Sequence, residues 1–152
     1  MATTVKLPVG AELTSQSRTI SEGELADLTN LTWTHSELHS SREFGKTTEF
    51  GERILAGPCV LALTVGLVVP EMTALLRQHG LRTVALLGFN NVKFAAPLLP
   101  GDTIRAKAKL ADARESKSRP GHYIITWHET LMRYDGTPMM EADHIMLTRV
   151  AT

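Results

Sequence analysis

One segment restricts the possible folds more than any other. From Pro58 to Val69 every side chain is apolar or small except Thr64. Written as a helix, this run has no polar side to turn toward water, so it belongs in the interior of something. Gly57 followed by Pro58 suits a helix start, because a first-turn residue needs no N–H. Pro70 predicts a kink, or the start of another helix running to Arg77, with Gly80 as the stop signal. The unbroken apolar length stays below the ~18 residues of a membrane span.

What covers such a helix is written in the second half of the chain. Thr83 to Val92 is a strand candidate, and Pro97 to Asp102 is a turn. Thr103 to Ala111 then alternates Ile104, Ala106, Ala108 and Leu110 with Arg105, Lys107 and Lys109, the pattern of a strand with one wet face. Arg114 to Gly121 is a charged bend. Tyr123 to Tyr134 and Met139 to Val150 flank Asp135-Gly136, a dipeptide suited to the left-handed torsions of a tight hairpin. The last three strands therefore predict an antiparallel meander. Upstream, Ile20-Ser21-Glu22-Gly23-Glu24-Leu25 reads as a capping box opening a short helix to about Asn30, with Ile20 stapled onto Leu25. Residues 1 to 17 read as an entry segment with one short strand. Leu31 to Gly57 is polar and aperiodic, and a loop of that length is functional or carries short helical turns. The expected architecture is α+β: a mostly antiparallel sheet with one apolar helix laid over its buried face.

Composition narrows the function classes. The chain has 152 residues, 43% apolar and 21% charged, and predicts one globular domain over 1–152. Sixteen Lys plus Arg balance sixteen Asp plus Glu, so no net field draws in nucleic acid or anionic lipid. Cys59 is the sole cysteine, which excludes an internal disulfide and multi-cysteine zinc modules, and a reducing cytoplasmic setting is expected. Met1 to Gly10 carries no charged-then-apolar leader pattern. There is no G-x-G-x-x-G, P-loop or G-x-S-x-G, so nucleotide cofactors and serine-hydrolase chemistry have no support. His35 and His39 stand four apart, but no Glu or third ligand completes a zinc pattern, and no metal is expected. His122, His128 and His144 fall on or beside strands, with no carboxylate cluster at matching intervals, and ordinary sheet packing explains them. Cys59 reads as a small buried hydrophobe.

The motif-bearing stretches are Leu31-Thr32-Trp33-Thr34-His35-Ser36-Glu37-Leu38-His39 and Phe50-Gly51-Glu52-Arg53-Ile54-Leu55-Ala56-Gly57. Further on come Phe89-Asn90-Asn91-Val92-Lys93-Phe94-Ala95-Ala96-Pro97, then Pro100-Gly101-Asp102-Thr103, then Arg114-Glu115-Ser116-Lys117-Ser118. In this order they resemble the MaoC-like dehydratase and (R)-specific enoyl-CoA hydratase family, whose runs read L-T-G-D-x-N-P-x-H, F-G-x-R-I-x-x-G and N-V-x-F-x-x-P-V-x-x-G-D. The resemblance covers roughly residues 18 to 150. It implies a hotdog fold, an antiparallel sheet wrapped around a buried central helix, in a homodimer or in a heterodimer with a related hotdog subunit. The implied activity is addition or removal of water across an enoyl or 3-hydroxyacyl thioester, with coenzyme A entering as part of the substrate and no separate cofactor.

Such chemistry needs a base for water, a group that handles the α-carbon proton, and donors for the thioester oxygen as enolate charge develops. By the resemblance, His39 stands on the family's histidine and Gly57 on its glycine, whose backbone amide serves the oxygen. Thr34 stands where the family has aspartate, Ser36-Glu37 replace Asn-Pro, and Ala62 stands where many members carry serine. Threonine is no general base near neutral pH. Glu37 and His35 lie two and four residues before His39, so an extended backbone would present all three on one face. That makes Glu37 the expected substitute base and His35 the second choice, with His35 and Thr34 otherwise expected as substrate contacts. Two rivals remain at this stage: a non-catalytic or acyl-CoA-binding hotdog subunit, and an acyl-CoA thioesterase using Glu37. Arg105, Lys107 and Lys109 read as a solvated strand face, with coenzyme A phosphates as a secondary reading.

Overall fold

The computed structural model describes residues 5–151, so the leader reading of Met1 to Gly10 falls partly outside it. The chain opens with strands β1 (Glu12–Thr14) and β2 (Arg18–Thr19), then helix α1 (Glu22–Leu31). The cap of α1 is as expected: Ser21 Oγ accepts the Glu24 amide, and the Glu24 carboxylate accepts the Ser21 amide. Two short helices occupy the polar stretch, α2 (Glu37–Ser40) and α3 (Arg42–Thr47), and then comes the long helix α4 (Gly57–Gln78). Strands β3 (Leu81–Phe94), β4 (Thr103–Glu115), β5 (His122–Arg133) and β6 (Pro138–Val150) complete the order.

The strands form one antiparallel sheet in the order β1-β4-β5-β6-β3, with β2 also on β4. Alternation sets which face is buried. On β4, Ile104, Ala106, Ala108 and Leu110 are buried while Lys107 and Lys109 are exposed. On β5 the inward set is Tyr123, Ile125, Trp127, Glu129 and Leu131, and on β6 it includes Met140, Ala142, His144 and Met146. Helix α4 lies over this face, burying Cys59, Val60, Thr64, Val68, Met72 and Leu76, a stripe at helical spacing. Thr64 is satisfied locally, donating to the Val60 carbonyl at 2.9 Å.

Two expectations need correction. Helix α4 runs through Pro70 without a second start. At that length it is apolar and long enough to cross a membrane by composition alone, whereas its stripe is spent on the sheet. The flank of α4 away from the sheet stays open within one chain, for Pro58, Ala62, Gly66, Val69 and Pro70 are exposed. The hairpin between β5 and β6 is looser than the two-residue type: only Gly136 is left-handed (φ +94). Asp135 instead accepts the Thr137 amide at 2.9 Å, the behaviour of a turn-forming aspartate in a four-residue loop.

Candidate active site

The site begins with what Pro58 removes. Helix N-termini leave backbone amides without intrahelical partners, but here Pro58 has no N–H, and the amides of Cys59 and Val60 both donate to the Ala56 carbonyl, at 2.9 and 3.0 Å. The Gly57 amide is thus the donor of this turn left without a partner among the described residues. It opens on a hollow of about 330 Å³ lined by Phe50, Ile54, Phe94 and Pro97 among others. A side chain at 57 would meet the Phe94 ring at 3.1 Å. Glycine is what lets the ring and the amide share this corner.

His39 lies on α2 and is half-buried. Its Nδ1 is 2.8 Å from the Ile54 carbonyl oxygen. A carbonyl only accepts, so Nδ1 carries a proton, and in the neutral ring Nε2 keeps its lone pair. Ile54 lines the same hollow as Gly57, so one short backbone segment orients the imidazole and presents the amide. Thr34 reaches the same helix end by a relay. Thr32 Oγ1 donates to the Leu28 carbonyl at 2.6 Å, and the Thr34 hydroxyl at 3.0 Å and the Cys59 thiol at 3.3 Å both meet that Thr32 oxygen. With the Thr32 proton committed, Thr34 and Cys59 act as donors toward it. Cys59 is buried, as expected.

The shared face expected for His35, Glu37 and His39 does not form. Glu37 and His39 belong to a helical turn, where a separation of two residues rotates the side chains by about 200°. Glu37 is exposed, its carboxylate has no hydrogen bond or ion pair among the described residues, and His35 is exposed and equally without partners. The cause is local: Ser36 takes extended torsions as N-cap, and the chain then coils.

Residues away from the motif histidine hold this corner together. Asp102 accepts the Leu99 amide at 2.9 Å and pairs with Arg133 at 3.1 Å, while Arg133 also donates to the Pro97 carbonyl at 3.0 Å. That fixes the turn whose Leu98 carbonyl accepts the Leu55 amide at 2.9 Å. On the other side Glu22 binds both Arg42 and Arg53, and these two guanidiniums, Arg42 foremost, hold its carboxyl below the usual carboxylate range. Gly45 packs where a Cβ would stand 2.6 Å from the Arg53 amide nitrogen. None of this was readable from spacing, since every partner comes from a distant element.

Two of the strand histidines do more than pack, because each faces a single carboxylate across the sheet. His128 Nδ1 is 2.9 Å from Asp143, and His144 Nδ1 is 2.6 Å from Glu129. Both partners lie across the β5–β6 ladder, where proximity depends on register and not on sequence interval. Among the described residues no group of three or more His, Cys, Asp or Glu is placed to hold a metal ion. Arg105 lies over the Tyr134 ring at 5.9 Å, and Lys109 is 4.0 Å from Glu12.

A six-stranded antiparallel sheet with one long helix across its buried face defines a hotdog protein. A family model described as a MaoC like domain matches residues 5–131, and the chain belongs to this MaoC-like dehydratase family. It is 26% identical over 124 residues to a β-methylmalyl-CoA dehydratase of Chloroflexus aurantiacus, covering 77% of this chain and 33% of that protein. The chain spans about a third or less of the curated relatives it matches. A monoamine oxidase regulatory protein of Archaeoglobus fulgidus superposes with a TM-score of 0.85 at 25% identity, over 96% of this chain and 93% of that one. The (R)-hydratase of A. caviae superposes with a TM-score of 0.72 at 22% identity, over 95% and 97%.

Proposed function

We propose that this chain is a hydro-lyase that adds water to an enoyl thioester, or removes it from a 3-hydroxyacyl thioester, with coenzyme A as the carrier. The observation that carries the reading is that the Ile54 carbonyl fixing His39 Nδ1 lies three residues before the unpartnered Gly57 amide, on one short segment. In the hydration direction Nε2 takes a proton from water as the oxygen bonds to the β-carbon. Electron density moves onto the thioester oxygen, where the Gly57 N–H and the positive end of α4 stabilise it. The imidazolium then returns its proton to the α-carbon. One water is consumed and His39 ends as it began, so a single base can serve both steps.

This assignment leaves Glu37 and His35 outside the reaction and gives Thr34 a positioning role. The dehydratase activity named for the Chloroflexus relative supports the reaction class. The expected test is a panel of enoyl-CoA and acyl-CoA thioesters with product masses: hydration gives a gain of water, hydrolysis gives free coenzyme A. His39→Ala should lower hydration by at least ~10²-fold, the scale of a lost acid–base group, with the circular dichroism unchanged. Unchanged turnover would remove His39 from the mechanism.

Thr34 also favours a second reading, in which the chain binds thioesters without turning them over and completes a related hotdog subunit. In that case no thioester would turn over with the chain alone, and activity would emerge only on mixing with a hydratase-like partner.

A further inference from the structure

We propose that the larger cavity of this chain is a subsite for an acyl chain bearing a neutral oxygen, a hydroxyl or carbonyl, and that His144 is the side chain that selects it. The acyl chain rests on the thioester reading above, whereas the subsite stands on its own geometry. The cavity holds about 840 Å³, within the range of small-molecule sites, and lies between α4 and strands β3 and β6. Val69, Met72, Leu81 and Met146 give it an apolar wall, and His144 interrupts that wall.

Three observations mark His144 as more than packing. Its Nδ1 is 2.6 Å from Glu129 Oε1, so the carboxylate fixes the ring and leaves Nε2 for another partner, and no described residue supplies one. Phe89 braces the ring at 4.8 Å between centroids. Glu129 is 0% and His144 3% exposed, yet Glu129 Oε2 and the Trp127 indole N–H are buried without hydrogen-bond partners. Buried polar atoms left unpaired carry a penalty that leucine or phenylalanine at these inward positions would avoid. The neighbouring inward residues Ile125, Leu131 and Ala142 show how the same face is otherwise filled.

The charge of the pair decides the kind of polar group. A histidine bonded to a buried carboxylate is neutral as a pair when it holds the extra proton and negative when it does not, so it offers nothing to an anion. It suits a neutral oxygen, which accepts from or donates to Nε2. The position fits the tail of the chain and not its reacting end. His144 is opposite Phe89 in the ladder, and Phe89 lies five residues before Phe94 beside the Gly57 amide, a run that a bulge and the left-handed Asn91 shorten below the roughly 17 Å of a straight strand. Arg77 also lines the cavity and is the alternative anchor for a charged tail.

Calorimetry with saturated thioesters separates binding from turnover. Hydroxydecanoyl-CoA, hydroxylated at the terminal carbon, should bind the full chain at least about tenfold more tightly than decanoyl-CoA, because a site built to pair a hydroxyl penalises an analogue lacking it. His144→Phe should abolish that preference. His144→Gln, which retains an amide for hydrogen bonding, should restore part of it and serves if the phenylalanine variant does not fold. Free decanediol should shift the His144 ring resonances in NMR. Equal binding of the two thioesters overturns the inference while leaving the hydro-lyase reading intact. Tighter binding of the dicarboxylic monothioester than of the hydroxylated one assigns the tail to Arg77 and also overturns it. If neither thioester binds but decanediol moves the His144 signals, the subsite holds and the thioester reading falls. Silence in both overturns both.

Discussion

At Gly57 the absence of a side chain leaves room for the Phe94 ring beside the backbone amide. Gly57→Ala puts a methyl group 3.1 Å from an aromatic ring that is half exposed and free to swing aside. The expected outcome is a loss of at least about tenfold in kcat/KM with little change in Tm, since what suffers is the corner where the oxygen sits and not the core. Phe94→Ala in the same chain should recover part of the loss. Thr34 is the complementary test. Thr34→Asp restores a carboxylate where the family has one, and hydration of a short enoyl-CoA should rise about tenfold if the base is limiting. Glu37→Gln should change little, because its carboxylate faces water with no partner. The motif order pointed to His39 and Gly57, which the fold places at the two ends of the segment leading into α4. The Ile54 carbonyl that sets the His39 tautomer was not legible, because a backbone acceptor has no signature in residue type.

Elements differ in how openly they declare themselves. The meander β4–β5–β6 was legible because alternation on a half-buried sheet is a strong period, and α1 because its capping box is compact in sequence. The helices α2 and α3 were not, since four and six residues cannot establish an amphipathic period. Cross-strand pairs were hidden for a different reason: they depend on register, as at Asp143. There the Asn91 amide at 2.7 Å, followed by His128, holds the carboxyl below its ordinary range. A carboxyl depressed in the folded state adds stability above its unfolded pKa, and that stability is lost as pH falls through the lower folded value. Asn91 has a left-handed φ of +53, so Asn91→Gly deletes the amide without straining the backbone. The Asp143 titration followed by NMR should then move up toward an ordinary aspartate, and the acid-unfolding midpoint should rise with it. An unmoved titration would assign the depression to His128 alone.

For the molecule as a whole, the open flank of α4 and strand β3 carry the main prediction. Strand β3 ends the sheet and exposes Val84, Leu86, Leu87, Val92 and Phe94, a long apolar edge of the kind soluble chains cover. Sedimentation should therefore report about twice 16.7 kDa, and Leu87→Lys should shift the population toward monomer. A monomer at micromolar concentration would sink the dimer reading. Pro70 adds a consequence of another kind. Having no N–H, it leaves the Gly66 carbonyl without its intrahelical donor, on the flank where both residues are exposed. The ladder of α4 is thereby interrupted between the turn that carries Gly57 and the turns of Met72 and Leu76, inside the stretch that walls the cavity. Deuterium should enter the two halves at separate rates, so that the long helix melts as two cooperative units, one belonging to the chemistry and one to whatever the cavity holds.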